Sequence, residues 1–163
     1  MQSVNLKKTE SEPKPKPKFW RLVLGLVMVA VGAWIIWSVL SQDQSGPTAK
    51  IDNSTINLEV ADEPQEITVG LGGRDSLAED GGMLFILPQT IIPNFWMKDM
   101  KFPLDFVWID EQQNIVAITP SIGVDSYPIT FSPPSPVKYV LEVNAGLSAF
   151  NGWLPGDHVD LSL

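Results

Sequence analysis

At 163 residues the chain has room for one domain and an accessory segment. It contains no cysteine, which excludes disulfides, thiolate nucleophiles and cysteine metal sites. The formal charge of −8 hides two regions: residues 1–21 carry six basic against two acidic side chains, and the rest carries five basic against 17 acidic, a net of −12 that would repel a nucleic-acid backbone.

In chain order, residues 1–21 read as a basic cytoplasmic tail whose EPKPKPKF stretch alternates proline with lysine. Residues 22–40, LVLGLVMVAVGAWIIWSVL, are free of charge, and 19 residues at about 1.5 Å each approach the ~30 Å hydrocarbon thickness. This segment is expected to be a single transmembrane anchor. Trp20 lies at one border and Trp34 and Trp37 near the other, and the basic excess lies on the N-terminal side. The N-terminus is therefore expected in the cytoplasm and the C-terminal portion outside the inner or plasma membrane. A cleaved signal peptide fits less well, because the apolar run is long and SVLSQDQS offers no small-residue cleavage site. Residues 41–54 are polar, include Gly46 and Pro47, and read as a linker.

From residue 55 the pattern turns β-like. TINLEVA alternates as a half-buried strand does, and Asp62 followed by Gln65 marks a short helix start, with Ile67 and Leu71 on one face and Gly72-Gly73 at its end. Residues 83–87 form a brief apolar run between Gly81-Gly82 and Pro88. Residues 104–109 and 115–118 flank EQQN as a hairpin, 137–143 form another strand, NAGLSAFNG a helical turn, and 157–161 a last strand after Pro155-Gly156. PSIGVDSYPITFSPPSP, with five of the 14 prolines, is expected as a stiff irregular wall. The fold class is thus α+β: a compact, β-rich, barrel-like domain over 55–163 with one or two short helices, preceded by the anchor.

The blocks EVADEPQE, GLGGRDSL, GGMLFIL, FWMKDMKFPLDFVWID, YVLEVNAG and LPGDHV follow one another as in the prokaryotic family catalogued as domain of unknown function 192, which residues 56–161 resemble. The resemblance implies a compact β-rich fold, often exported, with no securely assigned activity. Arg74, Met83, Phe85, Trp96, Met97, Asp105, Glu142, Gly146, Gly156 and Asp157 match characteristic family positions. The chain departs from the family at Val69, Gly72 and Asp99-Met100, where an arginine, a methionine and an Asn-Thr pair are usual.

In LDFVWID, period-2 geometry turns Leu104, Phe106 and Trp108 one way and Asp105, Val107 and Ile109 the other. Both faces are apolar, so Asp105 is expected to be buried and to need a partner, with Arg74, Lys98 and Lys101 the available cations. In VKYVLEVN, Glu142 shares a face with Val140 and is the second buried-carboxylate candidate. Converging, the two could divide acid and base roles; as structural groups they would accept backbone hydrogen bonds or pair with one cation. Trp96 and Met97 could line a ligand groove or serve as core.

No metal site or cofactor is expected, since His158 is the sole histidine and no phosphate loop, HExxH pair, EF-hand loop or G-x-S-x-G elbow occurs. These features point to a membrane-anchored, extracytoplasmic binding or interaction module of the cell envelope. Its surface around Arg74, Trp96, Met97, Lys98, Asp105 and Glu142 would meet a small molecule, a glycan or an envelope protein, and not nucleic acid. The alternative is a tethered hydrolase or transferase with Asp105 and Glu142 as its acid/base pair.

Overall fold

The computed structural model describes residues 46–163, together with helical residues 23–25, 27–28 and 30–34. Among the described residues no helix is long and apolar enough to cross a membrane. The remainder of the anchor expected over 22–40, and all of the tail 1–21, lie outside the described residues. Ser45–Leu163 form one compact unit.

That unit is built on a seven-stranded sheet. In chain order its elements are β1 (Thr48–Ile51), β2 (Ser54–Ala61), α1 (Pro64–Val69), β3 (Gly81–Ile91), β4 (Phe95–Trp96), β5 (Leu104–Ile109), β6 (Ile115–Ile122), β7 (Thr130–Phe131), β8 (Val137–Asn144), α2 (Leu147–Asn151) and β9 (Val159–Ser162). The sheet runs β6-β5-β8-β3-β2-β1-β9, and β4 pairs with β7 in a separate ribbon. β2 and β3 are parallel, joined by the crossover that carries α1; the other pairs are antiparallel. The sheet curls until its two edges touch: Asn114 bridges His158, the Ile115 N–H donates to the Asp157 carbonyl at 2.9 Å, and the Val159 N–H donates to the Gln113 carbonyl at 2.8 Å. Every strand expected from residue 55 onward is present, and the barrel-like expectation is met by this curled half-barrel.

Curling buries both faces, each with its own core. One core holds Ile51, Ile56, Leu84, Val107, Ile109, Leu141, Val143, Trp153 and Val159. The opposite face packs Met83, Phe85, Phe95, Met97, Leu104, Phe106, Trp108 and Val140, with Ile67 of α1 against them. The second core is organised by edge-to-face ring pairs: Phe95 lies 5.0 Å from Phe85, 5.9 Å from Phe106 and 5.7 Å from Trp108, between ring centroids. The Trp108 Nε1–H donates to Thr119 Oγ1 at 2.8 Å, so the ring is buried without an orphaned donor.

Three boundaries differ from the expectation. Thr48–Ile51, inside the stretch read as linker, is a strand whose Ala49 and Ile51 are fully buried; four residues are too few for the alternation to stand out. The helix begins one residue later than Asp62 suggests, because Pro64 takes its first position and holds Glu63 extended. The Glu66 carboxylate then accepts the Glu63 N–H at 3.3 Å. The helix also stops earlier, at Gly70, whose φ of 51° suits glycine. The proline-rich wall contains the end of β6, a short helical turn over Val124–Ser126, and β7.

Candidate functional site

β5 and β8 are direct neighbours, and their register decides where the two candidate carboxyl groups go. Asp105 pairs with Val143, and Phe106 pairs with Glu142. Since directly paired residues share a face and adjacent ones do not, Asp105 and Glu142 project from opposite sides of the sheet. They cannot act on one bond as acid and base, and the hydrolase geometry read from the sequence is corrected accordingly.

Asp105 is a structural staple. It is fully buried, and Oδ1 accepts the Ser121 N–H at 2.7 Å and the Gly146 N–H at 3.0 Å. Oδ2 accepts the Ser148 N–H at 3.0 Å and the Ser148 Oγ–H at 2.6 Å. Ser121 and Gly146 both have positive φ, so the carboxylate fastens the end of β6 and the start of α2 in the conformations these turns need. None of the cations expected beside Asp105 is its partner: Arg74 pairs with Glu59 and Lys101 with Asp75.

Glu142 has a different setting. Its neighbours across the sheet are Phe106 on β5 and Met83 on β3, and it is 4% exposed. It lines a cavity of about 250 Å³ between α1 and the segment that follows β3, whose apolar walls include Ile67, Leu71, Phe85, Phe95, Trp96 and Met100. Lys98, Thr68 and Asn94 are the polar side chains that also line it. Among the described residues no salt bridge reaches Glu142, and every sealed side-chain nitrogen or oxygen has a hydrogen-bond partner. The Glu142 oxygens, which accept no such bond, therefore open onto the cavity. Burial alone pushes this carboxyl up to about 8. At neutral pH it keeps its proton.

The opening is made by local sequence choices. Phe95 and Met97 turn inward while Trp96 and Lys98 turn out, as alternation dictates; Met97 belongs to the core and does not line the cavity, whereas Trp96 and Lys98 do. Trp96 is 44% exposed and is steadied by Tyr127, edge-to-face at 6.4 Å. Gly70 and Gly72 let the turn after α1 come close: a Cβ on Gly70 would meet the Phe85 ring at 3.1 Å, and one on Gly72 would meet the Val69 carbonyl at 2.9 Å and the Lys98 carbonyl at 3.3 Å. Arg74 lies in a wider depression with Glu59 and Met83. Its guanidinium grips Glu59 at both oxygens, 2.5 and 2.8 Å, and that hydrogen bonding holds the Glu59 carboxyl below its usual range and lifts Arg74.

A family model, DUF192, described as Uncharacterized ACR, matches residues 47–161. The chain belongs to this family. No curated protein matches it. Among solved structures, the chain is similar to a candidate transcription regulator from Sinorhizobium meliloti, 28% identical, with a TM-score of 0.67 over 74% of this chain and 98% of that one. A protein of unknown function from Novosphingobium aromaticivorans is 26% identical, with a TM-score of 0.66 over 69% of this chain and 83% of the other. Val69, Gly72 and Met100 all line the cavity beside Glu142.

Of the six candidates expected on one surface, the structure brings together Trp96, Lys98 and Glu142 and separates Arg74, Met97 and Asp105 from them. Ile67, Leu71, Phe85 and Met100 were not expected as cavity walls. The closely spaced glycines at 70 and 72 were the available signal, since they mark where backbone must approach its neighbours.

Proposed function

We propose that this DUF192 domain is a small-molecule binding module whose site is the cavity over Glu142. The observation that carries the reading is a carboxyl, 4% exposed and without a side-chain hydrogen bond or salt bridge among the described residues, that opens onto a cavity walled in part by Ile67, Leu71, Phe85, Phe95, Trp96 and Met100. Leaving such a group unpartnered costs free energy, and a bound ligand supplies what the protein withholds. A 250 Å³ space admits about ten non-hydrogen atoms, scaled from a 150 Å³ cavity that holds benzene, which favours a small molecule over a glycan or a protein segment.

In the same proposal, residues 22–40 hold the domain at the outer face of the cytoplasmic membrane. The support is the uncharged run in the sequence and the exposed apolar side chains of its described helical residues, Leu24, Val27, Met28 and Trp34 among them. The solved structure described as a candidate transcription regulator does not turn the proposal toward DNA, because residues 22–163 carry 12 more acidic than basic side chains.

Mapping amide shifts of the full chain against a panel of small aromatic fragments tests the site. Responses confined to residues 67–72, 94–100 and 142 are expected; responses elsewhere, or none, would count against it. Protease added to intact spheroplasts tests the topology: the domain should be digested without lysis, and its protection would reverse the orientation.

A further inference from the structure

The cavity over Glu142 limits what kind of molecule can satisfy it. The elements packed around the carboxyl contribute Met83 from β3 and Phe106 from β5 as its cross-strand neighbours, and Ile67, Leu71, Phe85, Phe95, Trp96 and Met100 around the cavity. The charged groups that line the space are Glu142 and Lys98 alone, and Lys98 is exposed and forms no salt bridge among the described residues. A buried acid in such a place can be relieved in two ways. It can stay protonated and donate to a ligand acceptor, or it can release the proton and pair with a ligand cation.

The second relief adds an ion-pair attraction to the hydrogen bond, and it is favoured where that attraction exceeds the cost of desolvating the ammonium and the carboxylate. The walls favour the same choice. Phe85, Phe95 and Trp96 present aromatic rings to the cavity, and ring faces attract a cation.

We propose that the cavity takes a small apolar molecule bearing a protonated primary amine, its ammonium paired with Glu142 and its apolar body against Leu71, Phe85 and Trp96. This rests on the small-molecule reading above. On binding, the Glu142 carboxyl gives its proton to the solvent buffer, the ligand ammonium keeps its three, and no covalent bond changes. The arriving cation lowers the carboxyl's proton affinity, so at neutral pH binding is coupled to proton release.

The test is calorimetric titration of the full chain with 2-phenylethylamine and with 2-phenylethanol, its neutral near-isostere, at pH 7 in two buffers of different ionisation enthalpy. The amine should bind at least tenfold more tightly than the alcohol and release close to one proton per site, and Glu142→Gln should abolish both the preference and the release. Equal or tighter binding of the alcohol, with no proton released, would overturn the amine assignment while leaving the small-molecule cavity standing. Binding of neither probe would overturn both. An amine preference that survives in Glu142→Gln would overturn the role of the carboxyl. Trp96→Ala serves as a second variant, because its exposed ring can be removed without opening the core, and it should weaken the amine severalfold.

Discussion

Phe106 and Glu142 stand directly opposite each other on neighbouring strands, so the acid lies beside an aromatic ring and against an apolar face of the sheet. One residue along, Asp105 stands opposite Val143 on the other face and is held by four hydrogen bonds. Two buried carboxyl groups on adjacent strands thus have opposite fates. One is consumed by the fold, and the other opens onto the cavity.

The Glu142 carboxyl makes stability pH-dependent with a definite sign. Its folded-state value, about 8, lies above the ordinary 4.5, so between these limits the folded chain holds a proton that the unfolded chain has lost. The contribution is fully present below about pH 4.5, falls as pH rises, and is gone above 8. Glu142→Gln removes this dependence. Urea denaturation should show the variant's stability, relative to the parent, rising by on the order of 3 kcal/mol between pH 4.5 and 7. A constant difference across that range would contradict the assignment.

Asp105→Ala leaves the N–H groups of Ser121, Gly146 and Ser148 without their acceptor. The expected cost is about 3–5 kcal/mol, as for other buried charged groups whose partners are removed. Hydrogen exchange should accelerate at these three amides. A destabilisation below about 1 kcal/mol would mean that the staple is dispensable.

Phe95→Ala and Trp96→Ala should differ in their cost to stability, although the residues are adjacent and both line the cavity. Phe95 meets three aromatic partners, so its removal should cost about 3–5 kcal/mol by denaturant unfolding. Trp96, 44% exposed, should cost about 1 kcal/mol or less and instead weaken ligand binding. Similar losses of stability in the two variants would contradict the alternation that divides them.

The Arg74–Glu59 pair is bidentate but sits in solvent, with side chains 37% and 53% exposed. A double-mutant cycle with Arg74→Gln and Glu59→Gln should give a coupling of about 1 kcal/mol or less that shrinks with added salt. A coupling well above that, insensitive to salt, would show that the depression around Arg74 is drier than its exposure indicates.

How much of this was readable beforehand depends on the kind of signal. β5 was legible to the residue, because Leu104–Ile109 is apolar on both faces and bounded by Pro103 and Asp110. β8 was legible for the same reason, and so was the burial of Asp105 and Glu142. What period-2 counting within a strand does not supply is the register between strands. A shift of one residue would have put both carboxyl groups on one face. β1 was hidden by its length, and α1 was legible except for its boundaries, its start being displaced by a proline. The cavity was the least legible part, since it is made by a glycine turn and a two-residue strand brought together from distant parts of the chain.

The most direct measurement is a carbon-13 titration of the Glu142 side-chain carboxyl in the full chain, assigned by comparison with Glu142→Gln. An inflection near 8 would show an uncharged acid under the cavity at neutral pH, as this account requires. An inflection near 4.5 would contradict it, because the group would then already be charged and satisfied without a ligand.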